Sequence, residues 1–168
     1  MSCQGRETTL FRMTTWNEIC TEAPELSERV RAAFDAHKHK VLATLRADGG
    51  PRVSGTELDL AGGDLWIGSM PGAMKARDLQ RDPRFAIHSA PIDLTMQIPD
   101  VKIAGRAIEI TDESEKGAWV AARAEPIPPG PFHLFRLDVT EVVCTSVAAN
   151  QMTVESWHEG RGVSRTTR

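Results

Sequence analysis

The feature that most restricts the fold is the stretch 65–90, LWIGSMPGAMKARDLQRDPRFAIHSA, in which two apolar alternations flank a short run of helical spacing. Residues 65–69 alternate as a strand does, Met70-Pro71-Gly72 holds a turn signal, and 73–80 carry Ala76 and Leu79 at inward helical positions. This predicts a strand, a turn and a short helix. The first amides of such a helix lack intrahelical partners and face outward at the positive end of its dipole, which suits an anion. Ser69 offers a hydroxyl, Gly72 lets the backbone come close, and Lys75 projects an ammonium from the first turn. Phosphate is the candidate. The same spacing also describes a lysine that is simply solvated.

At 168 residues the chain has the length of one domain, and 40% hydrophobic with 26% charged residues is an ordinary globular balance. No apolar run approaches the roughly 18 residues of a membrane helix, and residues 1–13 lack the apolar core of a secretory signal, so a cytoplasmic protein is expected. Cys3, Cys20 and Cys144 are odd in number and far apart, and the five histidines show no ligand spacing. Neither a disulfide framework nor a metal site is predicted. A net charge of −3 gives no general attraction to nucleic acid, so an anionic ligand requires a local site.

Residues 1–12 show no periodicity, and a flexible leader is expected through residue 22, ahead of a single domain over 23–158 and a flexible tail over 159–168. Within 25–39, Leu26, Val30, Ala33 and Phe34 mark one face of an amphipathic helix. KVLATLR (40–46) alternates, and Asp48-Gly49-Gly50 turns it into a second strand over 51–60. With 65–69 these form an expected antiparallel meander. A fourth strand spans 84–89, and 92–99 is an irregular loop that either covers a pocket or only connects. Residues 100–110 form the longest predicted strand, with Gly105 marking a bulge or bend. Asp112 followed by Glu115 opens a helix over 111–124, which the proline run at 127–131 stops. Strands at 132–139, 141–147 and 151–157 complete the pattern, with Ala149-Asn150 as a hairpin turn. Trp66, Trp119 and Trp157 read first as core or interface side chains. The fold class predicted is mainly β with helices, a six- to seven-stranded antiparallel barrel.

ATLRADGGPRVSGTELDL (43–60), LWIGSMPGAMKARDLQRDPRFAIHS (65–89) and VKIAGRAIEI (101–110) together resemble the pyridoxamine 5'-phosphate oxidase-like split-barrel family of flavin and deazaflavin proteins. The resemblance spans about 41–157. It implies a homodimer with a flavin-type cofactor in each interface groove, FMN or the deazaflavin coenzyme F-420, moving hydride or electrons to or from a small organic substrate. A non-catalytic flavin- or haem-binding module is the alternative. By resemblance, Arg52, Val53, Ser54, Gly55 and Thr56 lie along the ring, with Arg52 able to reach the phosphate. Ser69 and Met70 flank the ring and phosphate, Lys75 clamps the phosphate, and Trp157 approaches the partner's groove. The chain departs from the family at the clamp, where Ala73-Met74-Lys75 replaces Ser-Arg-Lys. No catalytic residue is assigned: in such proteins the cofactor carries the chemistry and the chain binds and orients it.

Overall fold

The computed structural model describes residues 14–90, 98–123 and 126–168. The expected leader over 1–12 and most of the 92–99 loop lie outside them. The helices are α1 (Trp16–Glu22), α2 (Pro24–Asp35), α3 (Met74–Arg81) and α4 (Glu113–Ala121). The strands are β1 (His39–Leu45), β2 (Pro51–Glu57), β3 (Asp59–Ala61), β4 (Asp64–Ser69), β5 (Arg84–His88), β6 (Asp100–Ile110), β7 (His133–Ala148), β8 (Gln151–His158) and β9 (Gly162–Thr167). All nine join one antiparallel sheet in the order β2-β1-β5-β6-β7-β4-β3, with β8 paired to β7 and β9 to β8. β2 packs beside β4 with no ladder between them, so the barrel is split along that seam.

Local chemistry accounts for the turns. Gly49, at φ +83°, lets the β1–β2 hairpin close, and the Asp48 carboxylate accepts the Gly50 amide at 2.9 Å. Ala149 and Asn150 both adopt positive φ, as a two-residue hairpin turn between β7 and β8 requires. The predicted strand over 51–60 divides, because the chain bends at Leu58, whose side chain packs against the main core. The chain there crosses from one end of the sheet to the other, and β4 pairs with β7 instead of β2, so the expected meander does not form.

β7 merges the two strands predicted over 132–139 and 141–147 into one of 16 residues. Its first half pairs with β4 and its second with β8, while β6 runs alongside both. The bend that this exchange of neighbours needs falls where the sequence places it: the β6–β7 register shifts between Ala104 and Gly105. The core is built from the inward positions of these strands, Leu42, Ile67, Ile87, Ile103, Phe135 and Val139 among them, and is covered by Leu26, Val30, Ala33 and Phe34 of α2 as their spacing predicts.

Both chain ends correct the sequence reading. Residues 14–22 are part of the packed domain: Trp16 and Ile19 are buried, and the Thr14 amide donates to Asp138 at 2.8 Å. Thr15 and Glu18 form a full capping box, with Thr15 Oγ1 accepting the Glu18 amide and the Glu18 carboxylate accepting the Thr15 amide. That Thr-x-x-Glu signal stands in the sequence, directly after a polar stretch without periodicity. The presumed tail folds back as β9 on β8, its first turn made possible by Gly160 at φ +70°. Thr15→Ala is expected to lower stability by about 1 kcal/mol, measured by urea unfolding; an unchanged midpoint would show that the α1 cap contributes nothing.

Candidate functional site

The seam between β2 and β4 opens into a cleft of about 500 Å³. One end is polar. β4 ends there at Ser69, Pro71-Gly72 turns the chain with Gly72 at φ +71°, and α3 begins with Ala73 as its N-cap. Ala73 provides no side-chain cap, so the opening amides of α3 receive none of the satisfaction that a Ser or Asp would give. Ser69 is buried in the cleft wall, and its Oγ has no hydrogen-bond partner among the described residues. Buried hydroxyls are normally paired, so this one is an exception in the wall of the cleft.

Lys75 extends from the first turn of α3 into the same end and donates to the Gly55 carbonyl at 2.7 Å, spanning the seam. Burial lowers the Lys75 pKa from its ordinary value, and the nearby Glu57 carboxylate offsets only part of that. β2 has a neighbouring strand on one side only, leaving alternate backbone groups on its open edge. Gly55 lies on that edge, and a Cβ there would meet nothing within 4 Å, so internal packing does not account for the glycine. A glycine so placed suits the close approach of a ligand or a second chain.

Of the residues singled out in the sequence, Gly55, Thr56, Ser69, Met70 and Lys75 line this cleft. Arg52, Val53, Ser54 and Trp157 do not. Arg52 is the main correction: its Nε donates to Asp78 at 2.6 Å, so the two expected cations do not share the cleft. The reason is that Asp78, on the inward arc of α3, is almost wholly buried and must be matched. It accepts from Thr44 of β1 at 2.9 Å, from Arg52 of β2, and from Arg81 at 3.2 Å. Burial pulls the Asp78 pKa up, but these bonds outweigh it and hold the value below the ordinary one. Val53 is 70% exposed on the open strand. Trp157 is sealed in the core, its indole donating to Glu22 at 2.9 Å.

The other end of the cleft is apolar, and sequence reasoning did not foresee it. Trp119 of α4 packs over Gly68 and against Phe132, with ring centres 5.7 Å apart, and Ile127, Pro128, Pro129 and Pro131 continue the wall. The proline run thus does more than stop a helix. Arg123 lies over the Trp119 ring at 4.6 Å and pairs with Asp59, while Glu57 faces Lys38 at 3.8 Å and His39 at 3.9 Å. No periodicity in the sequence brings α4 and 126–132 to the seam; only the path of the chain does. Among the described residues no group of His, Cys, Asp or Glu is arranged to hold a metal ion.

An open antiparallel barrel, split along a seam that ends in a strand–turn–helix corner, defines a split-barrel protein. The pyridoxamine 5'-phosphate oxidase family model matches residues 26–145, and the chain belongs to that family. Solved structures with the same fold include PhzG from Burkholderia lata 383 in complex with tetrahydrophenazine-1-carboxylic acid, 16% identical over 91% of this chain and 95% of that one, at a TM-score of 0.67. A pyridoxamine 5'-phosphate oxidase-related, FMN-binding protein from Nostoc punctiforme PCC 73102 is 15% identical over 87% and 95%, at 0.62. A haem-binding protein from Mycobacterium smegmatis is 17% identical over 86% and 88%, at 0.59. No curated protein matches the chain in sequence.

Proposed function

We propose that the seam cleft binds a flavin-type cofactor, FMN, and that the protein is an oxidoreductase acting on a small organic substrate. The observation that carries this reading is the convergence, at one end of the cleft, of the partnerless buried Ser69 hydroxyl, the Lys75 ammonium and the uncapped start of α3. Together they suit one phosphoryl group. Family membership and the FMN-binding relative from Nostoc support the cofactor class. FMN is favoured over coenzyme F-420 by charge: the rest of the cleft is lined by Glu57 and Asp59 as well as Arg123, a poor path for a long acidic tail. A bound flavin would supply hydride or electron transfer. The chain's own part is to grip the phosphate at α3 and present the open edge of β2 to the ring, where backbone N–H groups can stabilise charge. Val53, Met70 and Met74 are exposed apolar side chains at this edge and at α3, and we assign them to the contact with a second copy of the chain.

Titration of the purified protein with FMN and with riboflavin, followed by fluorescence, tests the reading. Lys75→Ala is expected to weaken FMN binding roughly 10- to 100-fold, the worth of a charge-assisted hydrogen bond, and riboflavin binding far less. Equal losses for both would refute the clamp. Because the Lys75 pKa is lowered, its charge is lost at a lower pH than for an ordinary lysine, so FMN affinity should fall on the alkaline side before pH reaches 10.5. The Lys75→Ala variant should lack that alkaline fall. His39 at the cleft rim favours a second reading, a haem-binding module without turnover, because its exposed imidazole can ligate iron. A Soret band lost in His39→Ala would support it.

A further inference from the structure

Because Asp78 takes Arg52, the strand–turn–helix corner keeps only one of its two expected cations, Lys75. A phosphomonoester carries about −1.5 to −2 charges near neutral pH, more than one ammonium matches. α3 holds another cation, Arg77, its fourth residue. Successive helical residues turn by about 100°, so Arg77 leaves the helix about 200° around from Lys75. Long helical side chains lean toward the N-terminus, and Arg77 does so. A Cβ added at Gly72 would stand 3.7 Å from Arg77 Nη2, which puts the guanidinium back over the Pro71-Gly72 turn where α3 begins. The uncapped first amides of α3 and the buried, unpaired Ser69 hydroxyl belong to the same corner. The Arg77 side chain is also uncommitted. Its neighbour Asp78 is already matched by Thr44, Arg52 and Arg81, and among the described residues Arg77 has neither an ion pair nor a side-chain hydrogen bond.

We infer that Arg77 is the second cation of this corner, and that Lys75 and Arg77 bracket the start of α3 to hold the terminal phosphomonoester of the cofactor. The ammonium supplies a point charge and the guanidinium a planar fork of donors, which together match a doubly charged phosphoryl group. This rests on the phosphoryl reading of the corner and adds to it the residue that completes its charge.

Titration of the full chain with FMN and with riboflavin, which lacks the phosphate, tests the assignment by flavin fluorescence. Arg77→Gln is expected to weaken FMN about tenfold and riboflavin less than about twofold, the pattern of one lost charge-assisted contact to phosphate. Arg77→Lys keeps the charge without the fork and should weaken FMN only about threefold. Arg161→Gln removes the same charge from the turn joining β8 to β9 and should leave both affinities unchanged. Thermal unfolding should give the parent midpoint for Arg77→Gln and Arg77→Lys, because no side-chain partner ties Arg77 into the fold. Equal losses for the two flavins in Arg77→Gln, or an FMN loss of the same size in Arg161→Gln, would overturn the inference. So would parent-like FMN affinity in Arg77→Gln, and Lys75→Ala then tells which reading has failed. If that variant is impaired for FMN, the corner binds phosphate without Arg77 and this inference falls alone. If it is not, or if the parent binds FMN no more tightly than riboflavin, the phosphoryl reading falls with it.

Discussion

Gly105→Ala is expected to abolish stable folding, or to lower stability by more than about 4 kcal/mol. A Cβ added at Gly105 would lie 2.0 Å from the Asp138 carbonyl oxygen and 3.1 Å from the Val139 Cα, a collision with backbone and not with a side chain that can turn away. The close approach belongs to the bulge at which β6 and β7 shift register. β7 changes its other neighbour from β4 to β8 over the same region, so relief by moving β7 would disturb both halves of the sheet. Overpacking of this kind ordinarily costs about 1–3 kcal/mol where side chains yield, and here none of the colliding atoms can. Urea unfolding and soluble yield measure the effect. A well-folded variant within 1 kcal/mol of the parent would show that the bulge opens easily and that the glycine is incidental.

Asp78→Ala is the second large loss expected, about 3 kcal/mol, with a functional consequence that Gly105 does not share. Asp78 ties α3 to β1 through Thr44 and to β2 through Arg52, and Arg81 adds a hydrogen bond to the Leu45 carbonyl. Its removal leaves two guanidinium groups beside a buried gap and unfastens the helix that carries Lys75. FMN affinity should fall with stability. The pH dependence has a definite sign. The folded pKa of Asp78 is held below its ordinary 3.8, so its contribution is fully present above that value and is lost as pH falls through the folded one. In Asp78→Asn the acid limb of the stability profile should be shallower than in the parent. An identical limb in both proteins would show that other carboxylates, Glu109 among them, carry the acid sensitivity.

Much of the fold was legible because it rests on short-range rules. The alternation of 40–46, the Asp-Gly turn, the helical face of Leu26, Val30, Ala33 and Phe34, and the bulge at Gly105 each follow from a few neighbouring residues. The misreadings arose where a local signal was outvoted or where pairing is remote. The Thr15–Glu18 capping box follows a polar stretch without periodicity, and β9 lies in a sequence rich in Gly, Ser and Thr. The break at Leu58 could not be seen, because alternation continues across it while the chain changes ends of the sheet.

The candidate site divides in the same way. The strand–turn–helix that brings Ser69, Gly72 and Lys75 together spans few residues, and the sequence alone determined it, since a strand end, a Pro-Gly turn and a helix start leave little freedom for where a side chain on the first turn points. Arg52 illustrates the other case. Two partners compete for a guanidinium, and the choice depends on whether a buried carboxylate lies nearer than the cleft. Asp78 is 26 residues away in sequence and 2.6 Å away in space. The meeting of α4 and the proline run with the seam is likewise a matter of tertiary path. Local backbone rules wrote the strand–turn–helix corner into the sequence, whereas the fate of Arg52 and the aromatic wall of Trp119 and Phe132 were decided only by long-range packing, because charge pairing and cavity shape depend on distances that sequence separation does not encode.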